Sequence, residues 1–144
     1  MDFDFVFYGA GISAKIAAVS LLKEGFKVCI IQDKKKFSKN SNLVTFLSEG
    51  SINYLTTLVS NPANIKNYTT IQKLNCSLTN STGSKEEFIE FTDNKSNSLG
   101  KIIPNNILEG MFDEELSKLK NITIIKDETP IKINDASMNV EIFV

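Results

Sequence analysis

A glycine-rich segment between two apolar runs constrains the fold of this chain more than any other feature. Phe5–Tyr8 is an apolar run that ends at Gly9, and Val28–Ile31 is a second, nearly continuous one. Runs of this kind are typical of parallel strands that are buried on both faces. Between them, Ile12–Glu24 is rich in helix formers, and Gly25 stands where helices often end. The pattern predicts a strand–helix–strand unit with parallel strands and a right-handed crossover.

The segment Gly9–Ala14 has the sequence GAGISA and matches the Gly-x-Gly-x-x-Gly/Ala fingerprint of dinucleotide-binding proteins. Gly9 allows a tight turn out of the first strand, and Ala14 is small enough for the helix to pack closely on that strand. Gly11 has no Cβ, so a pyrophosphate can approach the backbone at the N-terminus of the helix. We therefore predict a nucleotide site at this turn, with an ordinary glycine turn as the alternative.

The fingerprint also requires an acidic residue at the end of the second strand, where it binds the ribose hydroxyls. Gln32 occupies that position, and Asp33 follows it. Gln32 can hydrogen-bond a ribose hydroxyl, and a strand shifted by one residue would give this role to Asp33. The third interpretation is that both are ordinary polar residues at the edge of a loop. Lys34–Lys36 comes next, where a lysine cluster either favours the 2′-phosphate of NADP or forms a solvated loop. The solvated loop is the preferred interpretation.

Composition excludes several classes of function. The chain contains no histidine, which removes Ser-His, Cys-His and His-metal mechanisms, and we predict no metal site. All 16 basic residues are lysines, and with 17 acidic residues the net charge is -1, which argues against binding to nucleic acid. Cys29 and Cys76 each lie in a predicted strand, so we expect two buried free thiols. There is no apolar run long enough for a transmembrane segment, and the acidic start Met1–Asp4 lacks the basic region of a signal peptide, so we expect a cytoplasmic protein.

The remaining pattern predicts an α/β fold with a parallel sheet and a small antiparallel β meander. Ser48 or Ser51 is the expected N-cap of a helix, and Asp113–Glu115 are expected on the solvated face of another. The predicted helices cover 52–59 and 105–119, and the predicted strands cover 70–78, 88–91, 100–103, 122–125, 131–133 and 140–144.

The chain resembles the N-terminal part of the FAD-dependent aromatic-ring monooxygenases, and within them the ubiquinone-biosynthesis (2-polyprenylphenol) hydroxylases. Phe5–Gln32 is similar to the FAD-binding opening of that family. Thr45–Ser51, with the sequence TFLSEGS, resembles its "TALSxGS" segment, and Leu99–Leu108 resembles its "LGYxVxNxxL" segment. The three segments follow one another in the family's order and span essentially the whole chain.

The resemblance implies a Rossmann-like, FAD-binding flavoprotein segment. Gly9, Gly11, Ile12, Ser13 and Ala14 would hold the FAD pyrophosphate, and Gln32 or Asp33 would contact the ribose. Such enzymes are oxidoreductases that hydroxylate an aromatic ring with O₂ and take electrons from NAD(P)H. Three positions depart from the family.

Those departures and the length of the chain set further expectations. Gln32 replaces an acidic residue, and Leu43 and Asn106 each replace an arginine. Family members are about three times longer, so residues 1–144 are expected to be the N-terminal portion of an FAD-binding domain, incomplete and inactive alone. Catalytic residues and the oligomeric state are not assigned. The alternatives are an NAD(P)-binding Rossmann module of another oxidoreductase and a truncated, non-enzymatic remnant.

Overall fold

The computed structural model describes residues 2–32, 43–79, 85–93, 97–126, 132–136 and 139–143. The chain divides into two compact units, one formed by residues 1–41 and 108–144 and the other by residues 42–107. In sequence, the second unit is thus an insertion into the first. The elements are β1 (Phe5–Tyr8), α1 (Ile12–Lys23), β2 (Val28–Gln32), β3 (Val44–Ser48), α2 (Glu49–Leu58), α3 (Ala63–Lys66), β4 (Thr69–Ile71), β5 (Lys73–Thr79), β6 (Lys85–Thr92), β7 (Gly100–Pro104), α4 (Asn105–Lys118), β8 (Ile122–Lys126), β9 (Lys132–Ala136) and β10 (Asn139–Phe143).

The first unit contains a three-stranded parallel sheet in the order β1-β2-β8. The middle strand carries the core, because none of the residues Val28–Ile31 is more than 2% exposed. The predicted strand–helix–strand unit is confirmed as β1–α1–β2, and β8 is the predicted third parallel strand. A parallel pair of adjacent strands needs such a crossover, since a short turn cannot return the chain to the starting edge.

Helix α1 ends as its sequence predicts. Gly25 has a φ of +91°, and its N–H donates to the carbonyl of Leu22 at 3.1 Å. The N–H of Phe26 donates to the carbonyl of Leu21, also at 3.1 Å. These two bonds are those of a Schellman motif, in which a left-handed glycine turns the chain while the last helical carbonyls stay hydrogen-bonded.

The outer strands are more exposed than the sequence predicts. In β1, Phe5 is 40% and Tyr8 is 53% exposed, and in β8, Ile124 is 44% exposed. Each outer strand has one hydrogen-bonded neighbour among the strands that the structure describes. An apolar run indicates a strand suited to burial, but it does not determine whether covering elements lie on both sides. The prediction of a buried strand is therefore right for β2 and wrong for β1 and β8.

Helix α4 packs an apolar stripe into the core of the first unit. Leu108, Met111, Phe112 and Leu116 are at most 9% exposed, and their spacing is that of one helix face. Strands β9 and β10 pair antiparallel, as predicted. No helix in the described ranges combines the length and the apolar character that crossing a bilayer requires.

The second unit contains antiparallel strands, but they do not form one meander. Strand β7 lies between β3 and β4, so it pairs with strands distant in sequence. Strands β5 and β6 form a separate hairpin, as predicted. The predicted strand over residues 70–78 is two strands, β4 and β5, which belong to different sheets. Alternation of polar and apolar residues indicates a strand but not its partner, which explains why the prediction of a single meander is wrong.

Two elements of the second unit were not predicted. Strand β3 precedes helix α2, and the short helix α3 lies in the segment around Pro62 that was predicted as a loop. The N-cap of α2 is Ser48, one of the two predicted residues, and its hydroxyl accepts a hydrogen bond from the N–H of Ser51 at 3.2 Å. Helix α2 begins three residues earlier than predicted, because the cap lies before Glu49 rather than at Ser51.

The two cysteines differ in exposure, which corrects the prediction that both are buried. Cys29 lies in the core, whereas Cys76 is exposed on β5. Burial raises the pKa of the Cys29 thiol and so lowers its thiolate fraction at neutral pH. We expect the native protein to react with one equivalent of a thiol reagent, and the denatured protein to react with two. Rapid modification of both thiols in the native state would contradict the burial of β2.

Candidate functional site

The turn between β1 and α1 adopts a conformation that requires glycine at its first position. Gly9 has a φ of +107°, a region that residues with a Cβ rarely adopt. Its N–H donates to the carbonyl of Ile31 at 2.9 Å, which ties the turn to the carboxyl end of β2. The predicted role of Gly9 in the tight turn out of the first strand is consistent with this geometry.

The backbone conformation and the packing at position 11 do not explain why this residue is a glycine. It is the N-cap of α1, with a φ of -71° and a ψ of 170°, an ordinary extended conformation. A Cβ at this position would meet no atom of the described residues within 4 Å. Neither strain nor packing therefore excludes a larger residue here. The space beside Gly11 is open for a ligand that approaches the backbone.

The first turn of α1 offers hydrogen-bond donors at this open space. The carbonyl of Gly11 accepts the first helical hydrogen bond, from the N–H of Lys15 at 3.1 Å. Ile12, Ser13 and Ala14 come before Lys15 in the chain, so their N–H groups have no acceptor within the helix. The N-cap residue Gly11 has no side chain that could cap this end, and the first turn contains no acidic residue. Such an N-terminus favours an anion through its N–H groups and its dipole.

The three residues after Gly11 differ in exposure. Ser13 is exposed, while Ile12 and Ala14 are half-buried. Ala18, one turn after Ala14 on the same face, is completely buried against the core. The small side chain of Ala14 is compatible with the close helix–strand packing that the fingerprint predicts.

Gln32 and the glycine turn lie at the same end of the parallel sheet, where β1 and β2 have their carboxyl ends. Gln32 is the last residue of β2 and half-buried, and the hydrogen bond between Gly9 and Ile31 makes it a neighbour of the turn. Across the sheet its register partner is Lys126, which is exposed at the end of β8. The carboxyl ends of parallel strands form the crevice in which open α/β sheets bind ligands. Asp33 and Lys34–Lys36 lie outside the described residues.

A partly buried ion pair that was not predicted from the sequence lies close to the glycine turn. Lys15, in the first turn of α1, is 6% exposed, and its Nζ lies 2.8 Å from each carboxylate oxygen of Asp113 on α4. Lys15 belongs to the buried stripe of α1 together with Ala18, Val19 and Leu22. That spacing is visible in the sequence and would have identified a buried lysine.

The acidic cluster on α4 is not simply a solvated face, which corrects the prediction for Asp113–Glu115. Asp113 binds Lys15, and Glu115 is 6% exposed. The Nζ of Lys118 lies 2.7 Å from Glu114 and 3.1 Å from Glu115. Hydrogen bonds to Glu114 and Glu115 raise the pKa of Lys118. No group of three potential metal ligands occurs in the described ranges.

Two positions at which the resemblance implies arginine lie in the second unit. Leu43 is 62% exposed, and its carbonyl accepts a hydrogen bond from the N–H of Asn105 at 3.0 Å. Asn106 is an exposed residue in the first turn of α4. Neither side chain can supply the bidentate contact to phosphate that a guanidinium makes.

No family model and no curated protein match the sequence. Solved structures, in contrast, share its fold. The p-nitrophenol 4-monooxygenase PnpA from Pseudomonas putida matches with a TM-score of 0.63 and 16% identity, over 96% of this chain and 35% of its own. PqsL from Pseudomonas aeruginosa, described as a probable FAD-dependent monooxygenase, matches with a TM-score of 0.64 and 12% identity, over 94% of this chain and 35% of its own.

A third match, CtdE, was solved in complex with FAD and a substrate. Its TM-score is 0.64 at 14% identity, over 98% of this chain and 34% of its own. The chain thus spans about a third of the length of these proteins. At 12–16% identity, the likeness of this chain to these structures is one of fold.

Proposed function

We propose that this chain binds the ADP moiety of FAD at the β1–α1 turn, as the N-terminal FAD-binding segment of a flavin-dependent monooxygenase. The observation that carries the proposal is the open space at Gly11. Glycine at this position is explained by neither φ nor packing, so a ligand that needs the backbone is the physical reason that remains.

The residues at the turn fit a pyrophosphate. A pyrophosphate is a compact dianion, and the first turn of α1 presents N–H donors and the positive end of a helix dipole. In the proposed complex, Gly9 shapes the turn, Gly11 gives access, and the N–H groups of Ile12, Ser13 and Ala14 donate to the phosphate oxygens. Gln32, or Asp33 in a shifted register, binds the ribose hydroxyls.

The solved structures support the choice of FAD. One of them contains FAD, and two others are named as monooxygenases, one of them as a probable FAD-dependent enzyme. Their likeness to this chain is one of fold, so the cofactor, the aromatic substrate and the NAD(P)H donor remain proposals for this chain. The ubiquinone-biosynthesis type is the finer proposal and rests on the resemblance of Thr45–Ser51 and Leu99–Leu108 alone.

In such an enzyme, bound FAD supplies the reaction of O₂ with an aromatic ring. The residues of this chain would bind and orient the ADP end of the cofactor. Because the chain spans about a third of its structural neighbours, we propose that residues 1–144 are the N-terminal portion of the FAD-binding domain and do not catalyse the reaction alone.

A second candidate is a site for an NADP-type dinucleotide. The observation that favours it is the strand register, in which Lys126 is the neighbour of Gln32 at the carboxyl ends of β2 and β8. A neutral residue in place of the ribose carboxylate, with a cation next to it, is compatible with a phosphate on the 2′ position of the ribose. Tighter binding of 2′,5′-ADP than of ADP would support this candidate, whereas equal binding would oppose it.

Replacing Gln32 with glutamate should tighten ADP binding. A carboxylate accepts stronger hydrogen bonds from ribose hydroxyls than an amide does, so we expect about a fivefold lower Kd. Isothermal titration with ADP measures the change, and Gln72→Glu in the second unit is the matched control, because Gln72 is an exposed residue between β4 and β5. No change at residue 32, together with a loss of binding in Asp33→Ala, would assign the ribose contact to Asp33.

The decisive test of the proposed function is a parallel titration of the purified chain with ADP, FAD and NADH. Binding of ADP and FAD with similar affinity is the expected result, because this chain provides only the ADP half of the site. A clear preference for NADH would favour an NAD(P)-binding module of another oxidoreductase. Absence of binding to all three would leave a non-enzymatic remnant with a Rossmann-like fold.

A further inference from the structure

We propose that the Lys15–Asp113 pair sets the charge of the phosphate site, with Lys15 strengthening the binding of a phosphorylated ligand and Asp113 weakening it. The inference rests on the proposed nucleotide site at the β1–α1 turn. It assigns opposite effects on affinity to the two members of one ion pair. Mere structural support would give both residues the same effect.

Lys15 lies where its charge can act on the turn. Its Cα is about 6 Å along the helix axis from that of Gly11, and helical side chains lean towards the N-terminus. The N–H of Lys15 also closes the first turn by donating to the carbonyl of Gly11 at 3.1 Å. The axial separation of the two Cα atoms is thus shorter than the Debye length of ~8 Å at physiological salt. Burial of the side chain reduces its screening further, because only 8% of it is exposed.

The fold alone does not account for a lysine at this position. The rest of the buried stripe is apolar, formed by Ala18, Val19 and Leu22. A cation near the N-terminus of a helix opposes the helix dipole, and burying it requires desolvation. An apolar residue would fill the same place at lower cost, which suggests that the charge itself has a role.

Asp113 differs from Lys15 in its surroundings. Its side chain is 59% exposed, whereas both carboxylate oxygens lie 2.8 Å from the Nζ of Lys15. The carboxylate therefore offsets the cation from the solvent side. Removal of its negative charge leaves the positive charge of Lys15 less compensated at the turn. An anionic ligand should then bind more tightly.

The experiment compares ADP titrations of four variants with the wild type. Lys15→Met removes the cation and should weaken ADP binding about fivefold. Asp113→Asn keeps an oxygen that can accept a hydrogen bond from Lys15 but removes the negative charge, and it should tighten binding about two- to threefold. The matched control is Lys23→Met, because Lys23 is exposed in the last turn of the same helix, about 18 Å along the axis from Gly11. It should leave the Kd unchanged.

The double variant Lys15→Met/Asp113→Leu protects the test against loss of folding. Replacing a whole ion pair with apolar residues is often tolerated, even where removal of one partner is not. Because both charges are absent, its affinity should lie between those of Lys15→Met and the wild type. The titrations are repeated at about 50 mM and about 300 mM salt. The differences in Kd between the variants and the wild type should be smaller at the higher concentration, since added salt screens charges.

The inference is overturned if Asp113→Asn weakens ADP binding as Lys15→Met does, or if the Kd of Lys15→Met equals that of the wild type. In either case the proposed function still stands, provided that the wild-type chain binds ADP. If the wild-type chain does not bind ADP, the proposed function and this inference fail together.

Discussion

The variant Gly11→Asp should be more stable than the wild type and should lose nucleotide binding. Gly11 is the N-cap of α1 with a φ of -71° and a ψ of 170°, a conformation that aspartate adopts readily at helix N-caps. The new carboxylate can accept hydrogen bonds from the N–H groups of the first turn and interact with the helix dipole. We expect a gain of about 0.5–1 kcal/mol in the free energy of unfolding, which raises Tm by about 1–4 °C.

The same carboxylate would occupy the space and the donors that the pyrophosphate needs. Its negative charge would also repel the ligand, and like charges brought together cost several kcal/mol. The Kd for ADP should therefore rise about a hundredfold or more, measured by calorimetric titration beside a thermal melt of the same sample. Opposite signs of the two effects separate a ligand site from a structural glycine.

The matched control for this variant is Gly110→Asp on α4. Gly110 is also exposed, and apart from its own helix a Cβ there would meet no atom within 4 Å in the part of the chain that the structure describes. It lies in the middle of a helix, so the substitution adds a negative charge without an N-cap. ADP binding should change far less than in Gly11→Asp. If Gly11→Asp binds ADP as the wild type does, the nucleotide site is not at the β1–α1 turn.

The variant Gly100→Ala should disrupt the second unit. Gly100 begins β7, the central strand of its sheet, and has a φ of +155°. A Cβ there would overlap the carbonyl oxygen of Leu47 and lie 2.9 Å from the Cα of Ser48. Both are backbone atoms of β3, so no side-chain rotation relieves the clash. We expect a loss of about 3 kcal/mol or more in the free energy of unfolding.

Urea denaturation followed by circular dichroism measures this loss, with Gly110→Ala as the control. Because an alanine in an exposed helix interior is favourable, the control should gain about 0.5–1 kcal/mol. A midpoint for Gly100→Ala equal to that of the wild type would show that β3 and β7 do not approach as closely as the structure indicates.

The sequence predicts the first unit better than the second, for a physical reason. The β1–α1–β2 unit is made of consecutive elements, so its apolar runs, its helix and Gly25 each act locally. Pairing in the second unit joins β3 and β4 to β7, across tens of residues. Local patterns do not indicate such partners. Both the single strand predicted over residues 70–78 and the single meander are therefore wrong.

The residues of the candidate site likewise fall into those that the sequence predicts and those that only the structure shows. Gly9 and Gly11 were identified from their spacing, and the structure adds the reason that distinguishes them: Gly9 needs a positive φ, whereas Gly11 does not. Lys15 was not predicted, although its spacing with Ala18, Val19 and Leu22 places it on the buried face of α1. Asp113 could not be assigned to it from the sequence, since 98 residues separate the two.

By itself, the sequence determined the parallel strand–helix–strand unit, the glycine turn, the ends of α1 and the absence of histidine and arginine chemistry. The first three depend on residues close together in the chain, whose conformational preferences act without tertiary contacts, and the last follows from composition. Only the tertiary structure decided the order β1-β2-β8, the exposure of β1, β8 and Cys76, the close approach at Gly100 and the pairing of Lys15 with Asp113. Each of these depends on which distant segments meet, and hydrophobic burial, which drives that meeting, has no preference for sequence neighbours.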